Sequence, residues 1–109
     1  MGMEVKRFDV YLVQLDPVRG SEMRKTRPCL IISPDEMNIY LNTIIIAPMT
    51  SVTRNYPTRV NCIFQKVRGQ VALDQLRAAD KSRLSRRLGM IDEATATKVC
   101  NVLTVMFEL

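Results

Sequence analysis

Histidine is absent from this 109-residue chain, and tryptophan with it. Without histidine, Ser-His-Asp and Cys-His catalysis are excluded. The three cysteines, Cys29, Cys62 and Cys100, would need a fourth ligand from outside to hold zinc. They are odd in number, far apart and set among apolar neighbours, and so read as small buried residues in a reducing compartment. The acids are scattered, with no pair at a metal-ligand spacing, so neither a metal nor any other cofactor is expected. There is no GxxxxGK[ST] loop and no GxGxxG, which argues against nucleotide-cradling folds. Aromatic residues make up 6% of the chain, too few for a stacking platform of many rings. No run reaches the roughly 18 apolar residues of a membrane span. The opening, MGMEVKRFDVYLVQL, has no signal-peptide core ending at a small-residue cleavage site. Position 6 is Lys, where a myristoylation signal has Ser or Thr. A cytoplasmic protein with no membrane partner is expected.

What the chain does have is positive charge. Sixteen Lys and Arg against eleven Asp and Glu leave a net charge of +5, which favours an anionic partner. The composition, 47% hydrophobic and 25% charged, is that of a globular domain, and the length suits a single domain spanning residues 1–109.

Short apolar runs rich in β-formers predict strands at Val10–Leu15, Cys29–Ile32 and Thr43–Met49. Pro48 predicts a sheet edge or bulge near the end of the third. Between the second and third, Ser33-Pro34-Asp35-Glu36 reads as an N-cap, a first-turn Pro and two acids, opening a short helix that runs to about Leu41. Arg59–Phe64 alternates as a half-buried strand should, and Gly69–Leu73 follows after a polar turn, so the two predict a hairpin. A short strand is expected near Leu88–Met90. Asp92 then caps a terminal helix whose Ala96, Val99, Cys100, Leu103, Met106 and Phe107 share one face. The pattern is mainly β with helical attachments: a compact, mostly antiparallel barrel-like sheet with an inserted helix and a C-terminal helix.

With neither imidazole nor metal, an enzyme of this composition would depend on Arg, Lys, hydroxyls or carboxylates. Such chemistry exists for RNA, whose 2′-hydroxyl attacks its own neighbouring phosphate. The protein then has to align the attack, move protons and neutralise a phosphorane-like transition state. A planar guanidinium suits the last task, and a hydroxyl can add a hydrogen bond. Two stretches supply these groups, GSEMRKTRPCLIIS at 20–33 and APMTSVTRNYPTRV at 47–60. In the first, Pro28 pushes Arg27 into extended backbone and narrows where its side chain can point.

Five segments occur in order: GSE (20–22), RPCLIIS (27–33), IAPMT (46–50), YPTRV (56–60) and LDQLRAADKSRL (73–84). Together with DVYLVQLDP (9–17) they resemble the MazF/PemK family of endoribonuclease toxins (mRNA interferases) from type II toxin–antitoxin systems, nearly end to end. The resemblance implies a small Src-homology-3-like antiparallel β-barrel of the MazF/PemK/CcdB type that forms a homodimer. It implies metal-independent, sequence-specific cleavage of single-stranded RNA or mRNA, leaving 2′,3′-cyclic phosphate and 5′-hydroxyl ends, with a cognate antitoxin that neutralises it. It places catalytic roles on Arg27, before the Pro of the second strand, and Thr50, closing the third, with the acid of GSE at Glu22. One departure stands out: Phe8 occupies the position of the family's usual Gly before the first-strand Asp.

Arginine stays protonated in ordinary protein settings, so Arg27 is assigned phosphate stabilisation and is the candidate proton donor to the leaving oxygen. The general base is left open, with Glu22 as its candidate. Arg19, Arg24, Lys25, Ser51 and Arg54 flank these residues and are candidate RNA contacts, whereas Gln75 and Arg77 are expected to serve the fold or the dimer. Two alternatives come from other classes: a non-enzymatic, CcdB-like toxin that poisons gyrase by protein contact, and a non-catalytic RNA-binding barrel.

Overall fold

Strand alternation sets both faces of the sheet. The computed structural model describes residues 4–15 and 26–109. The first three strands are β1 (Asp9–Gln14), β2 (Thr26–Ile31) and β3 (Thr43–Thr50). Val10, Leu30 and Ala47 turn to one core, while Tyr11, Val13, Cys29, Ile31, Ile44 and Ile46 turn to another. Because both faces are packed, β3 reads as a continuous apolar run and shows no alternation of apolar with polar residues. The chain continues through α1 (Asp35–Tyr40), which precedes β3, and then β4 (Arg59–Phe64) and β5 (Val67–Ala72). A 3₁₀ turn leads into β6 (Arg77–Asp80), a second into β7 (Leu84–Met90), and α2 (Glu93–Met106) ends the fold.

The strand pairs are antiparallel, and the strands follow the order β4-β5-β3-β2-β1-β7, with β6 also on β3. The result is a mostly antiparallel half-barrel with a C-terminal helix. Its two ends meet through side chains. Gln65, in the tight turn between β4 and β5, donates its amide to the Leu88 carbonyl of β7 at 2.8 Å. Beside it, Gly89 adopts φ 154°, and a Cβ there would lie 3.3 Å from the Phe64 ring. Only glycine fits both the backbone and the ring. Helix α2 is capped as expected, with Asp92 accepting the Thr95 N–H at 3.1 Å. Its Val99 is buried, and Ala96, Val102, Leu103 and Met106 pack on the first core. No helix among the described residues is long and apolar enough to cross a membrane.

Several sequence expectations are corrected here. Pro48 does not lie on an outer edge of the sheet: it is buried inside β3, opposite Cys29, where the strand has a partner on one side only. On its other side β3 exchanges one neighbour for another, pairing with β6 over Thr43–Ile46 and with β5 at Met49–Thr50. Pro48 falls in that handover, where neither β6 nor β5 pairs with it. The segment 77–80, read only as basic, is strand β6. Its short Arg-Ala-Ala-Asp sequence has little β propensity, and pairing with β3 imposes the conformation. The cap of α1 is Pro34, not Ser33. Phe107 lies past the end of α2 and is exposed, and Cys100 is half-buried, unlike Cys29 and Cys62.

The Phe8 departure is absorbed locally. Phe8 takes φ 72°, the left-handed conformation that glycine adopts freely and that costs other residues about 1–2 kcal/mol. Its N–H reaches the Ile31 carbonyl at 2.8 Å, its carbonyl receives the Ile91 N–H at 3.1 Å, and its ring packs on the first core. The entry to β1 therefore keeps a glycine-like backbone with an aromatic side chain.

Ser33 has a different task from capping. Its hydroxyl donates to Asn38 Oδ1 and accepts the Ile45 N–H at 3.0 Å, while Asn38 Nδ2 donates to the Ser33 carbonyl at 2.9 Å. Both side chains are buried, so this knot fastens α1 to β3. Ser33→Ala leaves buried polar groups unpaired and should cost about 1–3 kcal/mol. Urea denaturation should show a lower midpoint at unchanged m-value.

Candidate functional site

The start of β2, the end of β3, the β4–β5 turn and β7 converge on one open pocket of ≈ 420 Å³. Arg27 and Pro28 enter from β2, and Thr50 and Ser51 from the end of β3. Gln65 comes from the turn, Val67 and Arg68 from the start of β5, and Leu88 from β7. The β2–β3 register runs Cys29 to Pro48 and Ile31 to Ile46. Arg27 and Thr50 lie two residues beyond the Cys29–Pro48 pair on their strands, and both line the pocket. Met49, Phe64 and Leu88, which pack on the first core, give the pocket an apolar floor, and the exposed Val67, two arginines and two hydroxyls line the rest.

The Thr50 hydroxyl is oriented by its own turn. It accepts the Val52 N–H at 3.0 Å, the local hydroxyl-to-backbone bond typical of Ser and Thr after a strand, and its own hydrogen remains for a ligand. Behind it, β5 crosses β3 very closely. A Cβ on Gly69 would lie 2.7 Å from the Thr50 carbonyl oxygen, so only glycine allows the approach.

The segment after Ser51 is held in two places. Gln70, buried, accepts the Arg54 N–H at 3.0 Å and donates to the Arg54 carbonyl at 3.2 Å and to Asn61 Oδ1 at 2.9 Å. Its carboxamide thus stands in for a strand partner. Arg59 grips Asp74 with two nitrogens, at 2.8 and 3.3 Å, and stacks 5.3 Å from the Tyr56 ring centroid. YPTRV and LDQ, far apart in sequence, meet in this fork. The hydrogen bond from Arg59 holds the Asp74 carboxyl below its ordinary range.

Of the residues expected from the sequence, Arg27, Thr50 and Ser51 meet in the pocket. Arg54 lies outside its walls, with its guanidinium on the Thr53 carbonyl at 3.3 Å. Glu22, Arg19, Arg24 and Lys25 fall outside the described residues. Gln75 sits in the 3₁₀ turn after β5, and Arg77 begins β6 opposite Ile46. Arg68 and Gln65 line the pocket yet were not singled out from the sequence. Their available signal was a basic pair, Lys66 and Arg68, around a hairpin turn, but no spacing links that turn to residue 27 or 50. Cys62 also lines the pocket, and burial raises its thiol pKa. Burial likewise pushes the Cys29 thiol up to about 12 against the pull of Arg27 and Arg77, so neither thiol is poised as a nucleophile. Among the described residues, no three His, Cys, Asp or Glu side chains are placed to hold a metal ion.

Fold and pocket together define a small half-barrel with a cationic, hydroxyl-bearing mouth. Residues 6–107 match the PemK-like, MazF-like toxins of type II toxin–antitoxin systems, and the chain belongs to that family. The endoribonuclease MazF of Staphylococcus epidermidis is 35% identical, over 96% of this chain and 92% of its own. Among solved structures, MazF from Deinococcus radiodurans superposes with a TM-score of 0.80 at 24% identity, over 99% of this chain and 100% of that one. A mycobacterial endoribonuclease bound to its cognate antitoxin also gives 0.80, at 24% identity, covering 96% of this chain and 98% of its own. At that identity the two structures show the shared fold.

Gly69→Ala should force β5 off Thr50 and destabilise the fold by about 1–3 kcal/mol, read as a lower melting temperature. The Asp74–Arg59 fork gives an acid dependence of known sign. Because the Asp74 pKa is lowered on folding, its contribution is complete above the unfolded carboxylate value and is lost as pH falls through the folded one. Asp74→Asn should therefore flatten the loss of stability below about pH 4, measured by thermal melts across the acid range.

Proposed function

We propose that this protein is a sequence-specific endoribonuclease toxin that cuts single-stranded RNA, mRNA included, without a metal ion, and so blocks translation and growth. The observation that carries the reading is the convergence of Arg27 and Thr50, from two strands, at the mouth of one pocket. The family and the name of the Staphylococcus epidermidis relative support it.

In this reading the RNA 2′-hydroxyl attacks the adjacent phosphorus and the bond to the 5′ oxygen breaks. The leaving 5′ oxygen takes up a proton, with Arg27 as the candidate donor, so that a 2′,3′-cyclic phosphate remains on one fragment and a 5′-hydroxyl on the other. The Arg27 fork takes up the charge that grows on the non-bridging oxygens, and the Thr50 O–H donates one more hydrogen bond. The base is unassigned, and Glu22, the acid of the family's GSE segment, is the candidate for accepting the 2′ proton. The apolar floor receives a splayed base, as expected for reading single strands. Arg19, Arg24, Lys25, Ser51 and Arg54 remain the proposed RNA contacts. A cognate antitoxin and a homodimer belong to the same proposal. The mycobacterial relative was solved with its antitoxin, and Val105 and Phe107 leave exposed apolar surface at the end of α2. A gyrase poison would have no use for the Arg27–Thr50 pair, whereas a non-catalytic RNA-binding barrel would bind RNA with salt sensitivity and leave it uncut.

Purified protein should cut cellular RNA at discrete sites in EDTA, and sequencing of the 5′-hydroxyl ends should define the motif. Arg27→Ala should lower kcat by about 10²–10³-fold, with Arg27→Lys restoring only part because it lacks the fork. Thr50→Val should lose about 10–100-fold, the worth of a hydrogen bond to a charged group, and Thr50→Ser should recover most of it. Glu22→Gln should remove the acidic limb of the pH–rate profile; an unchanged profile takes Glu22 out of the base role. Intact RNA with folded protein would sink the proposal.

A further inference from the structure

The Arg27–Thr50 pocket does not end at the β4–β5 turn. Ser51, Cys62, Arg68 and Gly69 also wall a second, larger groove of ≈ 670 Å³ that runs over β4 to the first turns of α2. Asn61, Asp92 and Lys98 complete its polar lining. Arg68 belongs to both cavities. Among the described residues, neither Arg68 nor Lys98 has an ion-pair partner, whereas Arg59 and Arg87 are paired with Asp74 and Asp9. Asn61 has its carbonyl oxygen occupied by Gln70, which leaves its amide hydrogens to donate. The single acid, Asp92, has both oxygens engaged by Thr95, at 3.1 and 2.6 Å. A third cavity, between Phe8 and the outer side of α2, has Glu93 and no cation in its lining. Uncommitted positive charge therefore marks the groove that joins the pocket.

We propose that this groove seats the RNA segment adjoining the cut, with Arg68 and Lys98 on its phosphates and the Asn61 amide on a base edge. The inference rests on the endoribonuclease reading and deepens it: specificity beyond the cut nucleotides is read on α2 and β4. Arg68, at the junction, holds the phosphate between the two cavities. Lys98 makes the outermost contact, more than seventy residues along the chain from Arg27.

The test uses a 2′-O-methyl oligoribonucleotide carrying the mapped cut motif with long flanks, which lacks the nucleophile and stays intact. Fluorescence anisotropy gives Kd against salt for the full chain and its variants. Lys98→Ala should weaken binding by about 3–10-fold and reduce the slope of log K against log salt by about 0.7, one phosphate contact on a single strand. Lys98→Arg should restore both, and Lys6→Ala, outside both cavities, should match the parent. Shortening the flank on one side of the motif should lower the parent's affinity to that of Lys98→Ala. A parent that cuts RNA and binds the analogue, with Lys98→Ala indistinguishable from it, overturns the groove alone. A parent that neither cuts nor binds overturns the endoribonuclease reading and the groove with it.

Discussion

The handover of β3 from β6 to β5 is the constraint on which the rest of this structure depends. Over Thr43–Ile46 the strand belongs with β6, and at Met49–Thr50 it belongs with β5. The change bends the sheet and brings the β4–β5 turn round to β7. It also leaves a stretch without a partner on that side, where Pro48 sits, and it demands a glycine at 69 so that β5 can reach the Thr50 carbonyl. Without that close approach the β4–β5 turn would not stand beside Arg27, and the half-barrel would have no mouth.

The same bend separates two kinds of chemistry. Its concave side is filled by the core beneath α2, so the pocket floor is apolar. The rim collects the strand ends, where backbone groups run out of ladder partners and side chains take over. Thr50 turns back to the Val52 N–H, Gln70 serves as a strand partner for residue 54, and Arg59 closes on Asp74. Paired charges hold the loops in place. Among the described residues Arg68 and Lys98 have no ion-pair partner, and they lie along the continuous path of the two cavities.

Legibility from the sequence followed burial. Strands β1 to β4 and helix α2 were read within a few residues because their apolar spacing reports a packed face. Arg27 and Thr50 were legible through the family resemblance together with local cues, a Pro after one and the end of an apolar run before the other. β6 was not, since Arg-Ala-Ala-Asp carries neither period nor propensity, and only its neighbour makes it a strand. Pro48 correctly signalled a missing strand partner, but a proline does not say that the gap lies inside the sheet, between β6 and β5, instead of along its outer edge. Phe8 departs from the family's usual Gly in sequence, yet its backbone adopts the conformation that glycine favours.

By itself the sequence determined the class of the fold, the chemistry left open once histidine is absent, and the two segments that supply a guanidinium and a hydroxyl. Those are local properties: composition, periodicity and the backbone bias of a residue before proline. The tertiary structure alone decided that these groups share a pocket with Phe64, Gln65 and Arg68, and that the pocket runs on to Lys98. Contacts between strands distant in the chain are set by register and by close approach, and here one absent side chain, at Gly69, allows that approach.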